Sequence, residues 1–146
     1  MSRRAGRPHT GAMPSPLPTQ VFIVDDSAAI RQRLAEMLGA LDWVRVVGEA
    51  GAVRPAIEGI LRTRPDMVLL DLALGHESGI EVLRGVRAHA PAIAFVILSN
   101  HGEMQYRRAC ARAGAACFLD KSSEFQQVPA IIAQIASTSH REIHPK

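Results

Sequence analysis

Met67-Val68-Leu69-Leu70-Asp71 is an apolar run without polar alternation that stops on a carboxylate. A run this short and this uniformly apolar predicts a strand buried on both faces, as in a parallel sheet covered by helices above and below. Three further runs end in the same way. Val21-Phe22-Ile23-Val24 stops on Asp25-Asp26, Ile93-Ala94-Phe95-Val96-Ile97-Leu98 on Ser99, and Phe118-Leu119 on Asp120-Lys121. Parallel strands present their C-terminal ends at one edge of a sheet, and open α/β sheets bind ligands at that edge. Carboxylates, a hydroxyl and an ammonium would therefore converge. That inventory suits a divalent cation and a phosphoryl group.

Working outward, helical and strand patterns alternate. Ile30, Leu34, Met37, Leu38 and Leu41 recur at helical spacing behind Ser27 as N-cap. Val44–Gly48 is a Val-rich second strand. Ile57, Ile60 and Leu61 predict a helix with Pro55 near its start and Pro65 beyond its end. Gly75 to Ser78 is expected as a loop. Ile80, Val82, Leu83 and Val86 follow on a helix that ends before Pro91. Met104 to Arg112 is a helix closed by Gly114, and Ala115–Leu119 a fifth strand. Ser123 to Gln127 is expected as a short turn, with Pro129 at the first position of a last helix carrying Ile131, Ile132 and Ile135. The expected organisation is a Pro-, Gly- and Arg-rich disordered tail over 1–19, one folded domain over 20–137, and a C-terminal tail over 138–146. Whether the chain starts at Met1 or at Met13 is left open.

Aromatic residues make up 4% of the chain, so the core must be aliphatic. The net charge is +3, and Arg3, Arg4 and Arg7 of the acid-free leader account for it. The rest is balanced, without the cluster of Lys and Arg on one element that a nucleic-acid surface requires. Cys110 and Cys117 form neither a disulfide framework nor a zinc motif and read as reduced, semi-buried residues. Ser2-Arg3-Arg4 is followed by Pro8, Pro14, Pro16 and Pro18 rather than an apolar region, which argues against a signal peptide. No apolar run approaches membrane-spanning length. A cytoplasmic location is expected. The six histidines fall at no ligand spacing and read as titrating surface residues.

The chemistry follows from residue type. Adjacent Asp25 and Asp26 point in different directions, so one can bind a cation directly and the other through water. Mg²⁺ takes oxygen ligands, few of them from protein. Asp71 can act as a carboxylate nucleophile toward phosphorus, with the cation offsetting charge repulsion. Lys121 supplies a point charge for phosphate, and Ser99 a hydrogen-bond donor. Each residue also has an ordinary reading as a turn acid, a solvated lysine or a helix cap. Their joint occurrence at successive strand ends carries the weight.

In Val24-Asp25-Asp26-Ser27, Asp66-Met67-Val68-Leu69-Leu70-Asp71-Leu72, Ser78-Gly79, Leu98-Ser99, Gly114-Ala115 and Phe118-Leu119-Asp120-Lys121-Ser122 the chain resembles the receiver domain of bacterial two-component response regulators, over about residues 20–137. The resemblance implies an α/β, flavodoxin-like (βα)5 doubly wound fold with a five-stranded parallel sheet of order 2-1-3-4-5. It implies Asp71 as phosphoacceptor, and Asp26, Asp71 and the backbone carbonyl of Ala73 as direct ligands of Mg²⁺ (or Mn²⁺). Asp25 would be the water-mediated ligand and Lys121 the phosphate-binding lysine. Ser99 and Phe118 would be the switch pair, altering the face formed by the fourth helix, fifth strand and fifth helix.

Three positions depart from the family pattern. Gly75 stands where a proline is usual, from which a looser loop is expected. Asn100 and His101 follow the switch hydroxyl and are expected to modulate phosphoryl lifetime. Phe118 lacks the hydroxyl of a Tyr. The expected partners are a histidine kinase or phosphotransfer protein and a downstream protein target, with homodimer formation left open. No DNA-binding or enzymatic output domain and no membrane segment is expected. Two rivals are a phosphorylation-independent binding module of this fold and a small Mg²⁺ phosphatase with an Asp nucleophile. The phosphatase would need an acid where Ala73 stands. Beyond turnover of its own acyl phosphate, the chain is expected not to be an enzyme.

Overall fold

The computed structural model describes residues 17–100 and 104–143. Five parallel strands form the sheet: β1 (Thr19–Val24), β2 (Val44–Ala50), β3 (Met67–Asp71), β4 (Ala94–Ser99) and β5 (Cys117–Asp120), in the order β2-β1-β3-β4-β5. They alternate with α1 (Ala28–Gly39), α2 (Val53–Thr63), α3 (Ile80–Arg87), α4 (Met104–Arg112) and α5 (Val128–Ile143). The parallel sheet is the one expected from the strand–helix alternation, and its order is the 2-1-3-4-5 that the resemblance implies.

Strand alternation sorts the core onto two faces. Phe22, Val24, Val68, Leu70, Phe95 and Ile97 pack with Ala56, Ile60, Val82, Leu83, Val86 and Cys110 of α2, α3 and α4. Val21, Ile23, Met67, Leu69, Val96 and Leu98 pack with Leu34, Leu38, Val128 and Ile132 of α1 and α5. Every residue of β3 is buried, which explains why its sequence shows no alternation. Each fully buried Leu or Ile contributes roughly 1.5–3 kcal/mol relative to exposure.

Local chemistry sets the ends. Ser27 Oγ accepts from the Ile30 N–H at 3.2 Å and caps α1. Gly114 (φ +103) closes α4, and the Ala115 N–H donates to the Cys110 carbonyl at 2.9 Å. That cap bond takes Ala115 out of the ladder, so β5 begins at Cys117 rather than at the expected Ala115. Phe125–Gln127 forms a 3₁₀ turn, and Val128 opens α5 with Pro129 second rather than first. The helix continues to Ile143, past the boundary expected at residue 137. The span expected as a loop after β3 is instead a two-residue-turn ribbon in which Ala73–Leu74 pairs antiparallel with Glu77–Ser78. Gly75, at φ +64, supplies the left-handed conformation that the turn needs.

A steric detail fixes β1 against its neighbours. The register between β1 and β2 slips between Val21 and Phe22. A Cβ on Gly48 or on Gly59 would lie 2.7 Å from the Phe22 ring. The ring therefore occupies a slot that only glycine leaves open on both sides.

Candidate functional site

Register brings the strand ends level. Val24 is opposite Leu70, Asp71 opposite Leu98, and Ser99 opposite Asp120. Alternation then continues past the last paired residues. Asp25 follows Val21 and Ile23, Asp71 follows Met67 and Leu69, and Lys121 follows Leu119, all on the side covered by α1 and α5. The Lys121 main-chain N–H donates to the Ser99 carbonyl at 2.8 Å and holds the start of the β5–α5 connection against β4.

The side chains meet. Lys121 Nζ donates to Asp25 Oδ2 at 2.7 Å and to Asp71 Oδ2 at 3.1 Å. Asp25 is 2% exposed and Asp71 6%, so both ion pairs are shielded from water. Asp26 is exposed, and its Oδ2 accepts from the Gly75 N–H at 3.0 Å. Oxygens of Asp25, Asp26 and Asp71 all lie within 4.8 Å of one another. Each buried acid is fixed by the turn that follows it. Asp25 Oδ1 accepts from the Ser27 N–H at 2.9 Å, and Asp71 Oδ1 from the Ala73 N–H at 3.2 Å.

Electrostatics follow from this geometry. Burial pushes the Asp71 carboxyl above its ordinary range; the charge of Asp25 adds to that shift, while Lys121 opposes it. For Lys121, burial would lower the ammonium, but the Asp25 hydrogen bond and the fields of Asp71 and Asp25 outweigh it and hold the pKa high. Asp120 stays out of the cluster. Its Oδ1 accepts from the Ser122 hydroxyl at 2.6 Å and from the N–H groups of Ser122 and Ser123 at 2.9 and 3.2 Å. The Ser122 hydroxyl is the main reason that carboxyl is held low.

Asp25, Asp26, Asp71 and Lys121 line a cleft of ≈ 460 Å³ with Ala73, Gly75 and Asn100 on its walls. Three hard oxygen donors beside an open cleft are the donor set that Mg²⁺ takes, with room for the waters it retains. Ser99 is fully buried at the end of β4. It shares a sheet face with Phe118 of the neighbouring strand, two residues before its partner Asp120. Phe118 packs on the core beneath α4, with the Arg107 guanidinium 4.7 Å from its ring centre. Asn100 is exposed, and His101 lies outside the described residues.

The loop expected to be loose at Gly75 is tied down. Its N–H bonds Asp26, and Glu77 Oε1 accepts from the Val53 N–H at 2.9 Å, capping α2 where Ala52 has no side chain to do so. Proline would have removed the first of these bonds.

Two arginines escaped the sequence reading. Arg31 Nη1 donates to the Asp25 carbonyl at 2.6 Å and its Nε to Glu49 at 2.7 Å, bracing Asp25 from behind. Arg33 stacks 4.4 Å over the Phe125 ring, and both line the cleft. Helical spacing from Asp26 through Ile30 to Arg33 could have put Arg33 on the cleft side. Nothing local in the sequence pairs Arg31 with a main-chain oxygen.

Residues 21–133 match the response regulator receiver domain. The chain belongs to that family. This receiver domain is 30% identical over 118 residues to the DNA-binding transcriptional activator DevR/DosR of Mycobacterium tuberculosis, a match covering 81% of this chain and 54% of that protein. It is 32% identical over 119 residues to a protein-glutamate methylesterase/protein-glutamine glutaminase of a Nocardioides species, covering 80% of this chain and 32% of that one. The chain thus spans about half, or less, of the length of these relatives. Among solved structures, the signal receiver domain of the response regulator NarL of M. tuberculosis superposes with a TM-score of 0.77 at 29% identity, covering 84% of this chain and 98% of that one. The response regulator domain of Thermotoga maritima CheB gives 0.74 at 27% identity, covering 84% and 97%. Receiver domains of this kind serve two-component signalling. No helix among the described residues is long and apolar enough to cross a membrane.

Proposed function

We propose that this receiver domain is a phosphoacceptor switch in the cytoplasm that takes a phosphoryl group from a phosphohistidine partner onto Asp71. One observation carries the reading: Lys121 bridges two buried carboxylates while a third, exposed carboxylate stands within 4.8 Å. In the proposed step an Asp71 oxygen attacks phosphorus, the phosphorus–nitrogen bond breaks, and the imidazole leaves with the bonding pair. An acyl phosphate results. Lys121, already beside Asp71, neutralises charge on the transferring group.

Asp26 and Asp71, with the Ala73 carbonyl, would hold a divalent cation directly, and Asp25 through water. When bound, Mg²⁺ supplies a positive charge that offsets repulsion between the carboxylate and the phosphoryl oxygens. Ser99 and Phe118, on one face of adjacent strands, form the proposed two-state element: the hydroxyl is drawn toward the phosphoryl group, and the ring responds beneath α4. Output then passes by protein contact through the face of α4, β5 and α5. The partners proposed are a histidine kinase or phosphotransfer protein and a downstream target.

The test is intact-mass spectrometry after incubation with acetyl phosphate and Mg²⁺. The wild type should gain one phosphate, and Asp71→Ala none. Labelling that persists in Asp71→Ala, or no labelling of the wild type, overturns the assignment.

A further inference from the structure

Gly75 stands at a point where two observations meet. Its φ of +64 is a conformation open to glycine and disfavoured for other side chains, and barred to proline. Its N–H points at Asp26 Oδ2, 3.0 Å away. Asp26 is the exposed member of an otherwise buried carboxylate cluster, so it alone lacks packing to fix its rotamer. Its buried companions receive N–H groups from their own turns, at Ser27 and Ala73. The N–H given to Asp26 comes from across the cleft. The ribbon that delivers it is anchored at its other strand, where Glu77 takes the Val53 N–H.

We infer that Gly75 is a positioning residue for the divalent-cation site. Its N–H holds the Asp26 carboxylate in ligating orientation, and its left-handed backbone makes that bond possible. The inference rests on the cation-binding reading of the three acids. Three effects act in one direction. The bond restrains a rotamer that an exposed Asp would otherwise sample. The N–H dipole offsets part of the repulsion that Asp26 meets from Asp25 and Asp71. The accepting oxygen keeps a second lone pair and the other oxygen accepts no hydrogen bond among the described residues, so the bond leaves Asp26 able to ligate. A proline at this position would lack the N–H altogether and could not make this contact.

The experiment measures cation affinity in the full chain, by calorimetry with Mg²⁺ and by electron paramagnetic resonance with Mn²⁺. Gly75→Pro removes the N–H, whereas Gly75→Asn keeps it and tolerates positive φ. Proline should weaken binding about threefold to tenfold, the scale of one net hydrogen bond, and asparagine should stay within about twofold. Proline also cannot adopt φ +64, so a merely structural role for the turn gives the same order, and the exchange measurement that follows separates the two. Independently of any substitution at 75, amide exchange at Gly75 should be faster in Asp26→Ala than in the wild type, which keeps the claim testable should the proline variant fail to fold. Equal affinity for all three chains, tighter binding by Gly75→Pro, or unchanged exchange overturns the inference. If Asp26→Ala itself leaves cation affinity unchanged, the cation-site reading fails instead.

Discussion

Replacing Lys121 with Met keeps most of the side-chain length and removes one charge. The ammonium sits 2.7 Å from Asp25 and 3.1 Å from Asp71. At an effective dielectric of about 20, unit charges at those separations attract by roughly 6 and 5 kcal/mol. Desolvation of the three ions cancels much of this, so the cluster's net worth is far smaller. The variant has no such cancellation, because two acids that are 2% and 6% exposed stay buried without their cation. Breaking a buried pair from one side costs about 3–5 kcal/mol. Against a total stability of about 5–15 kcal/mol, that is a fall in Tm of roughly 10–20 °C. The deficit should depend on pH. The Asp71 carboxyl is already raised by burial, with Lys121 opposing the rise; without Lys121 it moves higher still. A carboxyl whose folded pKa lies above its unfolded one favours the folded state below the unfolded value. That advantage fades as pH rises through the folded value. The variant's deficit should therefore be largest at neutral pH and shrink at an acid pH below the raised titration of Asp71. Urea denaturation of both chains at the two pH values measures it, and Mg²⁺ should restore part of the loss at neutral pH. A deficit under about 1 kcal/mol at neutral pH, or one that does not change with pH, refutes the argument.

Gly59→Ala forces a Cβ to 2.7 Å from the Phe22 ring and should cost about 1–3 kcal/mol. Phe22→Leu in the same chain should recover part of that loss in thermal melts if the clash is the cause. Mg²⁺ affinity measured calorimetrically should rise with pH through the elevated titration of Asp71 and then level off, since the proton and the cation compete for one carboxylate. An affinity already flat from about pH 4 contradicts this. Asn100 is exposed on the wall of the cleft, so Asn100→Ala should open Asp71 to water and shorten the life of the acyl phosphate severalfold. Unchanged dephosphorylation, followed by loss of the added phosphate mass, removes Asn100 from that role.

What the sequence made legible was whatever depends on one strand at a time. The unalternating Met67–Leu70 run gave a strand covered on both faces, and the polar residue ending each run gave the composition of the rim. What it hid depends on contacts between distant segments. The Phe22 slot needs Gly48 and Gly59 from two other elements, and each glycine by itself reads only as a flexible residue. The cap on α2 comes from Glu77, outside that helix, so Ala52 offers no signal. Ala115 reads as the start of a strand, but its N–H is committed to the α4 cap. Gly75 shows the same limit inside the site. As a letter it suggests looseness, and only the position of Asp26 across the cleft turns that looseness into a bond.

The cluster's charge balance explains why such a site can work as a switch. When ionised, Asp25, Asp26 and Asp71 oppose one ammonium, and a divalent cation would close the remaining gap. A phosphoryl group on Asp71 replaces a single negative charge with about two. The rim would then carry one uncompensated negative charge in a place where two of the acids are already buried. Such a charge is costly until donors move toward it. Lys121 is already engaged, so the compensation must come from groups farther along the rim. Ser99 lies one residue beyond Leu98, the partner of Asp71 on β4, and shares a sheet face with Phe118. On the proposed reading, the signal would leave through β4 and β5 rather than through β1. Charge at the Asp25–Asp26 side is braced by Arg31 and Gly75, whereas the Phe118 ring is held by core packing and a stacked Arg107. Substituting Arg107 with Ala should thus shift the balance of ring positions without touching the acids. ¹⁹F or aromatic ¹H NMR of Phe118 should show that shift while Mg²⁺ affinity stays constant. A change in cation affinity with no change at the ring would place the coupling elsewhere.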